Sequence, residues 1–143
     1  MRMRFTPPGD PADYPFAHPV RVRFCETDAM AVVHHGAYLA YLEESRVAYL
    51  RVLGHPYDQV RAEGVEFPVL EVALQYLRPL RFDDVVDVHV ALSSARGATF
   101  QMDYLLRARD RSETCATAVT VHAVVDGQGR PGRVPAWLRS LQA

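Results

Sequence analysis

The chain of 143 residues contains no lysine, no isoleucine and no asparagine. All 16 of its basic side chains are therefore arginine, so any cation that grips a phosphate must be arginine or histidine. A planar guanidinium fork suits that task. Cysteine is scarce: Cys25 and Cys115 stand far apart, and neither belongs to a C-x-x-C pair. That spacing argues against a zinc site and predicts a reduced, cytoplasmic protein. Excess charge of either sign is also missing. The formal net charge is −1 and no like-charge block stands out. A nucleic-acid partner would call for a basic stripe, and the balance points to a small-molecule partner instead. No apolar run is long enough to span a bilayer, so membrane insertion is not expected. The start of the chain has no apolar run either, which speaks against a signal peptide.

What remains is a normal globular composition, with 49% apolar and 23% charged residues. One domain of this length can bury a core without metals or disulfides. Five prolines between Pro7 and Pro19 break any helix at the start, and residues 1–17 are expected to form a partly ordered arm. The domain proper is assigned to residues 18–143.

Periodicity divides that domain. Val20 to Phe24 alternates apolar and basic residues and predicts a short strand. From His35 the apolar spacing becomes three and four, through Tyr38, Leu39, Leu42, Tyr49, Leu50 and Leu53. This predicts one long helix with an apolar stripe, stopped by Gly54 and Pro56. Tyr57 to Glu63 is a candidate second helix. After Gly64 the period becomes two, and four strands are expected in a meander. Their inward sets are predicted within Val69–Leu77, at Val86, Val88, Val90 and Leu92, at Phe100 to Leu106, and at Cys115 to Ala123. His89 and His122 are expected to be exposed or at an interface. The tail from Pro135 to Leu141 predicts a helical turn or two. The fold class is α+β: about five antiparallel strands wrapped around one long central helix.

The chemically informative stretch is Phe24-Cys25-Glu26-Thr27-Asp28-Ala29-Met30-Ala31-Val32-Val33-His34-His35-Gly36-Ala37-Tyr38. Asp28 precedes the helix by a few residues, and His35 stands at or near its start. The first N–H groups of a helix lack intrahelical partners and carry partial positive charge. They can hold the oxyanion formed when a carbonyl is attacked. A nearby carboxylate can activate water or attack directly. Cys25 is read as packing beside the site. Glu43 and Glu44 read as a solvated helix face paired with Arg46 or Arg51.

The same stretch resembles the 4-hydroxybenzoyl-CoA thioesterase family of hotdog-fold proteins, including the acyl-CoA thioesterases associated with the Tol-Pal system. Glu26-Thr27-Asp28, Val32-Val33, His35 and Tyr38 match the family pattern in order and spacing, and the likeness covers roughly residues 18–140. The resemblance implies a hotdog fold, hydrolysis of a small or aromatic acyl-CoA, and Asp28 as the catalytic carboxylate. It implies that the His35 backbone N–H polarises the thioester carbonyl. Val33, His34 and Tyr38 are assigned to substrate contact, and Arg96 to the CoA phosphates. It implies no metal and no cofactor beyond the coenzyme A of the substrate. A homodimer or homotetramer with interfacial sites is also implied. The chain departs from the pattern at Met30 and Ala31, where the family usually has glycine. A non-cleaving acyl-CoA or acyl-carrier binding module and a hotdog dehydratase are the alternatives.

Overall fold

The computed structural model describes residues 3–142, so Met1 and Arg2 of the expected arm lie outside it. Strand β1 spans Phe16–Arg21, and helix α1 spans Ala37–Val52. A short helix α2, Tyr57–Ala62, leads to strand β2, Val69–Tyr76. Strands β3, Val85–Arg96, β4, Thr99–Ala108, and β5, Glu113–Ala123, follow. A single helical turn, α3, covers Ala136–Arg139. The α+β expectation holds: five antiparallel strands form one sheet, with α1 packed against it.

The expected four-strand meander does not form. Strand order is β1-β3-β4-β5-β2, so only β3, β4 and β5 meander. Strand β2 lies at the far edge beside β5, opposite β1. At 16 residues α1 is about 24 Å long and lies along the strands, with Tyr49 near its end against Phe16 of β1 and His35 before its start against Tyr76 of β2. The chain passes from one edge of the sheet to the other through α1 and α2, which lead into β2.

The first strand is shifted from its expected place. Phe24–Glu26 forms a 3-10 turn, because the Glu26 carboxylate accepts the Arg23 N–H at 2.8 Å. A local side-chain bond of this kind competes with extending the strand. Pro19 is tolerated because β1 is an edge strand, paired only with β3.

On α1 the buried stripe is Tyr38, Tyr41, Leu42, Ser45, Ala48, Tyr49 and Leu50. Leu39, expected inside, is exposed, and Tyr41 is buried instead. Gly54 ends the helix at φ 87°, with the His55 N–H reaching back to the Leu50 carbonyl. Only glycine takes that left-handed conformation cheaply.

The inward phase of β5 also differs from expectation. Phe100, Met102, Tyr104 and Leu106 stand opposite His122, Thr120, Ala118 and Ala116. Small residues on β5 make room for Tyr104 and Leu106 on β4. Thr117, Val119 and Val121 therefore face the other side, with Leu105, Asp103 and Gln101 as cross-strand partners. That side is buried as well. The Gln101 side chain exchanges two hydrogen bonds with the Arg4 backbone, and the Tyr14 ring meets His89. His122 is only 1% exposed, so its expected surface position is wrong.

Candidate active site

The loop from Thr27 to Gly36 is built by its own short-range bonds. Thr27 and Val33 form an antiparallel bridge, and the Asp28 N–H donates to the Val32 carbonyl at 2.9 Å. The Ala31 N–H returns to the Asp28 carbonyl at 2.9 Å, closing a tight turn. Inside that turn the Met30 N–H donates to Asp28 Oδ1 at 2.8 Å and fixes the carboxylate. Ala31 sits at φ 62°, in the left-handed region that favours glycine. The unusual residue at this position therefore carries backbone strain.

The loop is clamped to the body of the fold. The His34 N–H donates to the Glu26 carbonyl, and the Val33 N–H to the Leu80 carbonyl, both at 2.8 Å. The Glu26 carboxylate also accepts from the Tyr41 hydroxyl at 2.9 Å. Burial alone would raise the Glu26 carboxyl. The Arg23 N–H, the Tyr41 hydroxyl and the Arg23 guanidinium together outweigh it and hold the group below the usual carboxylate range. Tyr41 is pushed the other way, chiefly by burial and then by Glu26.

The start of α1 is held with equal care. The Gly36 N–H donates to His34 Nδ1 at 3.1 Å, and the Ala37 N–H to the His34 carbonyl at 3.0 Å. The Tyr76 hydroxyl, arriving from the end of β2, donates to the His35 carbonyl at 2.9 Å. Among the described residues these loop bonds use the N–H groups of Val33, His34, Gly36 and Ala37 and pass over that of His35. No acidic residue occupies the first turn of α1, so its positive end is uncompensated from within the helix.

Asp28, Val33, His35 and Tyr38 line one open cleft of about 320 Å³. The opposite wall is Tyr76, Leu77, Arg78 and Pro79. Four of the residues predicted from sequence thus come together. Burial pushes the Tyr38 phenol up to about 12, which makes it a hydrogen-bonding group rather than a proton acceptor near neutrality. His34 does not line the cleft. Its ring packs against His35 at 4.2 Å and supports Gly36. A Cβ on Gly36 would meet that ring at 3.2 Å, so the position is close to full.

Arg96 stands apart. Arg21, near the loop, is opposite Val85 at the start of β3, whereas Arg96 ends that strand. The length of β3 separates them by about 35 Å. The arginine that borders the cleft is Arg78, loosely paired with Glu113 at 3.5 Å. Tyr76 and Arg78 escaped the sequence reading because only the edge position of β2 brings them across from His35. Cys25 is exposed next to this loop. Among the described residues no three histidine, cysteine or acidic side chains converge to hold a metal ion. No helix among them is long and apolar enough to cross a membrane.

Chemically, the cleft offers an oriented carboxylate, an N–H at the positive end of a helix, and one cation on its rim. Known proteins share the fold and much of the sequence. A family model described as the thioesterase-like superfamily matches residues 22–142. The acyl-CoA thioesterase YbgC of Haemophilus influenzae is 33% identical over 124 residues, covering 86% of this chain and 90% of that protein. The crystal structure of a hypothetical protein from Aquifex aeolicus superposes with a TM-score of 0.83 at 36% identity. It covers 90% of this chain and 100% of its own. A thioesterase from Thermus thermophilus, crystallised with coenzyme A and Zn, gives a TM-score of 0.76 at 28% identity, covering 89% and 90% of the two chains.

Proposed function

The chain belongs to the thioesterase-like superfamily, and from that premise we propose that it is an acyl-CoA thioesterase, hydrolysing acyl-CoA to the free acid and CoA. The observation that carries the reading is the shared cleft of Asp28 and His35 at the start of α1. The thioester carbonyl oxygen lies toward the His35 N–H. Asp28 takes a proton from water as the hydroxide oxygen adds to the carbonyl carbon, or its own carboxylate adds there first. The oxyanion collapses, the C–S bond breaks, and the thiolate of CoA leaves. On the nucleophilic route water then hydrolyses the mixed anhydride, which frees the acid and restores the Asp28 carboxylate. Hydrogen bonds aimed at a developing oxyanion contribute several kcal/mol, about 3 per donor.

Val33 and Tyr38 contact the substrate, and His34 acts through the backbone it supports. Arg78 meets the CoA phosphates from the same chain, while Arg96 reaches them only from a second copy. The reaction draws on no metal and no cofactor besides the CoA of its substrate. Within the superfamily, the Glu26-Thr27-Asp28 to Tyr38 stretch favours the 4-hydroxybenzoyl-CoA thioesterase family, of the Tol-Pal-associated type. The free thiols of Cys25 and Cys115 suit a reducing cytoplasm.

The minimal assembly is a homodimer, joined along β2, and a homotetramer is its doubling. Strand β2 is an edge, and Val69, Leu70, Val72 and Tyr76 along it are exposed. A long apolar edge of this kind needs a partner strand. The test is thiol release over a panel of aliphatic and aromatic acyl-CoAs. Turnover that Asp28→Asn abolishes supports the reading. Tight binding without thiol release would favour a binding module instead. Single turnover in heavy-oxygen water separates the two roles of Asp28, since only a nucleophilic carboxylate takes up the label.

A further inference from the structure

A second cavity, of about 380 Å³, lies between the later half of α1 and the sheet. Its walls are apolar and aromatic, including Leu50, Tyr57, Phe67 and Phe100, yet Arg46 and His122 also line it. His122 begins an ordered chain of hydrogen bonds that runs toward Arg46. His122 Nδ1 faces the Phe67 carbonyl at 3.2 Å, and a carbonyl can only accept, so Nδ1 carries the hydrogen. Nε2 then accepts from the Thr120 hydroxyl at 2.8 Å, and Thr120 accepts from the Tyr104 hydroxyl at 2.7 Å. The Arg46 guanidinium lies beside the Tyr104 hydroxyl. The core chain is satisfied through Tyr104, and Arg46 stands beside its end with donors to spare. A guanidinium has five N–H groups. Among the described residues its carboxylate neighbour is Glu43, at 3.5 Å. The Arg46 side chain is 16% exposed, whereas that of Glu43 is 70% exposed. A nearly buried cation whose counter-charge sits in solvent is incompletely partnered.

The position of this cavity says what reaches it. It borders Phe67, Pro68 and Val69 at the start of β2, and the Asp28 cleft borders the residues at the other end. Along the strand these ends are roughly 25 Å apart, too far for a short acyl group within one chain. Isologous pairing of β2 with a second copy reverses the order, because residue i meets j and j meets i. With the two-fold axis at Val72, Val69 of one copy lies opposite Gln75 of the other, beside Tyr76.

Resting on the thioesterase reading and the β2 dimer above, we infer that the Arg46 cavity is the acyl subsite for the second copy's Asp28 cleft, and that Arg46 selects acyl groups with a carboxylate at the far end. A terminal carboxylate supplies the bidentate partner that Glu43 does not, in a cavity otherwise suited to methylene groups.

The test compares adipoyl-CoA with hexanoyl-CoA, chains of equal length, by thiol release. The wild-type protein is expected to favour adipoyl-CoA in kcat/KM by roughly 10- to 100-fold, the worth of a charge-assisted hydrogen bond. Arg46→Gln removes that ratio and Arg46→Lys keeps part of it, with the change in KM. A ratio near one in the wild type, or unchanged in Arg46→Gln, overturns the inference while leaving the thioesterase reading intact. Turnover of no acyl-CoA at all overturns both. Because Arg46 also lies against Tyr104, subunit mixing supplies a control that does not depend on the fold of one variant. Asp28→Asn and Arg46→Gln dimers, exchanged at equal amounts, should regain about one quarter of wild-type adipoyl-CoA turnover, since half the dimers are mixed and each mixed dimer holds one intact site. No recovery on mixing, with exchange verified by mass spectrometry, places both groups in one chain and rejects the shared site.

Discussion

Tyr76 and His35 are joined by a hydrogen bond from the phenol to the backbone carbonyl at 2.9 Å. The Gly36 N–H of the same peptide unit donates to His34 Nδ1. One peptide plane at the start of α1 is thus held from both sides, by an edge strand and by a ring in the loop. Its orientation decides how the neighbouring His35 N–H is presented to a carbonyl.

Tyr76→Phe removes the bond and keeps the ring that meets Tyr38 edge-on. Tyr76 is exposed, so the fold should survive. A neutral hydrogen bond of this kind contributes about 1 kcal/mol, and kcat/KM is expected to fall roughly 3- to 10-fold with a melting temperature lowered by only a few degrees. Wild-type kinetics in this variant would show that the bond does not orient the site.

Asp28→Asn keeps the shape of the tight turn, because an amide oxygen can still accept the Met30 N–H. It removes the base or nucleophile. Thiol release should slow by roughly 100- to 10,000-fold, while calorimetry finds acyl-CoA bound nearly as before. Near-normal turnover would take Asp28 out of the mechanism.

The local part of this site was legible in the sequence because it is local. Asp28, Val33, His35 and Tyr38 lie within eleven consecutive positions, and the turn that gathers them is closed by bonds between near neighbours. The long helix was equally plain from its spacing. Long-range pairing was not legible. The edge position of β2, and with it Tyr76 and Arg78, depends on where the chain re-enters the sheet after α1 and α2. The phase of β5 depends on how Ala116 and Ala118 accommodate Leu106 and Tyr104 on β4. His122 looks like a surface histidine until Thr120 and the Phe67 carbonyl are placed beside it.

Ala31→Gly tests the strain in the tight turn. A non-glycine residue in the left-handed region costs about 1–2 kcal/mol. Glycine gives back roughly 0.5–1 kcal/mol through the greater freedom of its unfolded chain. The variant should therefore be more stable by about 0.5–1 kcal/mol in chemical denaturation, because Ala31 stands at φ 62°. Ala31→Val should be destabilised, since a β-branched side chain tolerates that conformation least.

Val72→Arg tests the proposed dimer. Val72 is exposed near the middle of β2, where a two-fold axis would bring the two copies of the residue together. Like charges facing each other across paired strands are destabilising. Sedimentation should find the variant as a monomer with little thiol release. A variant that remains dimeric and active would move the interface away from β2.

His122 makes stability depend on pH. Its burial, then the nearby Arg46 charge, lower the imidazole to about 4, with the Phe67 carbonyl opposing. An unfolded histidine titrates near 6.5. Between these values the unfolded chain binds the extra proton and the folded chain does not, so stability is full above about 6.5 and falls as pH drops toward 4. The loss amounts to roughly 3 kcal/mol over that window, and below it this group contributes no further change. His122→Phe keeps the stack on Phe100 but leaves the Phe67 carbonyl without its donor and the Thr120 hydroxyl with Tyr104 alone. It should cost about 1–3 kcal/mol at neutral pH and flatten the acid limb between 6.5 and 4. Denaturation curves across that range measure both effects, and an acid limb as steep as that of the wild type would assign the loss to other groups.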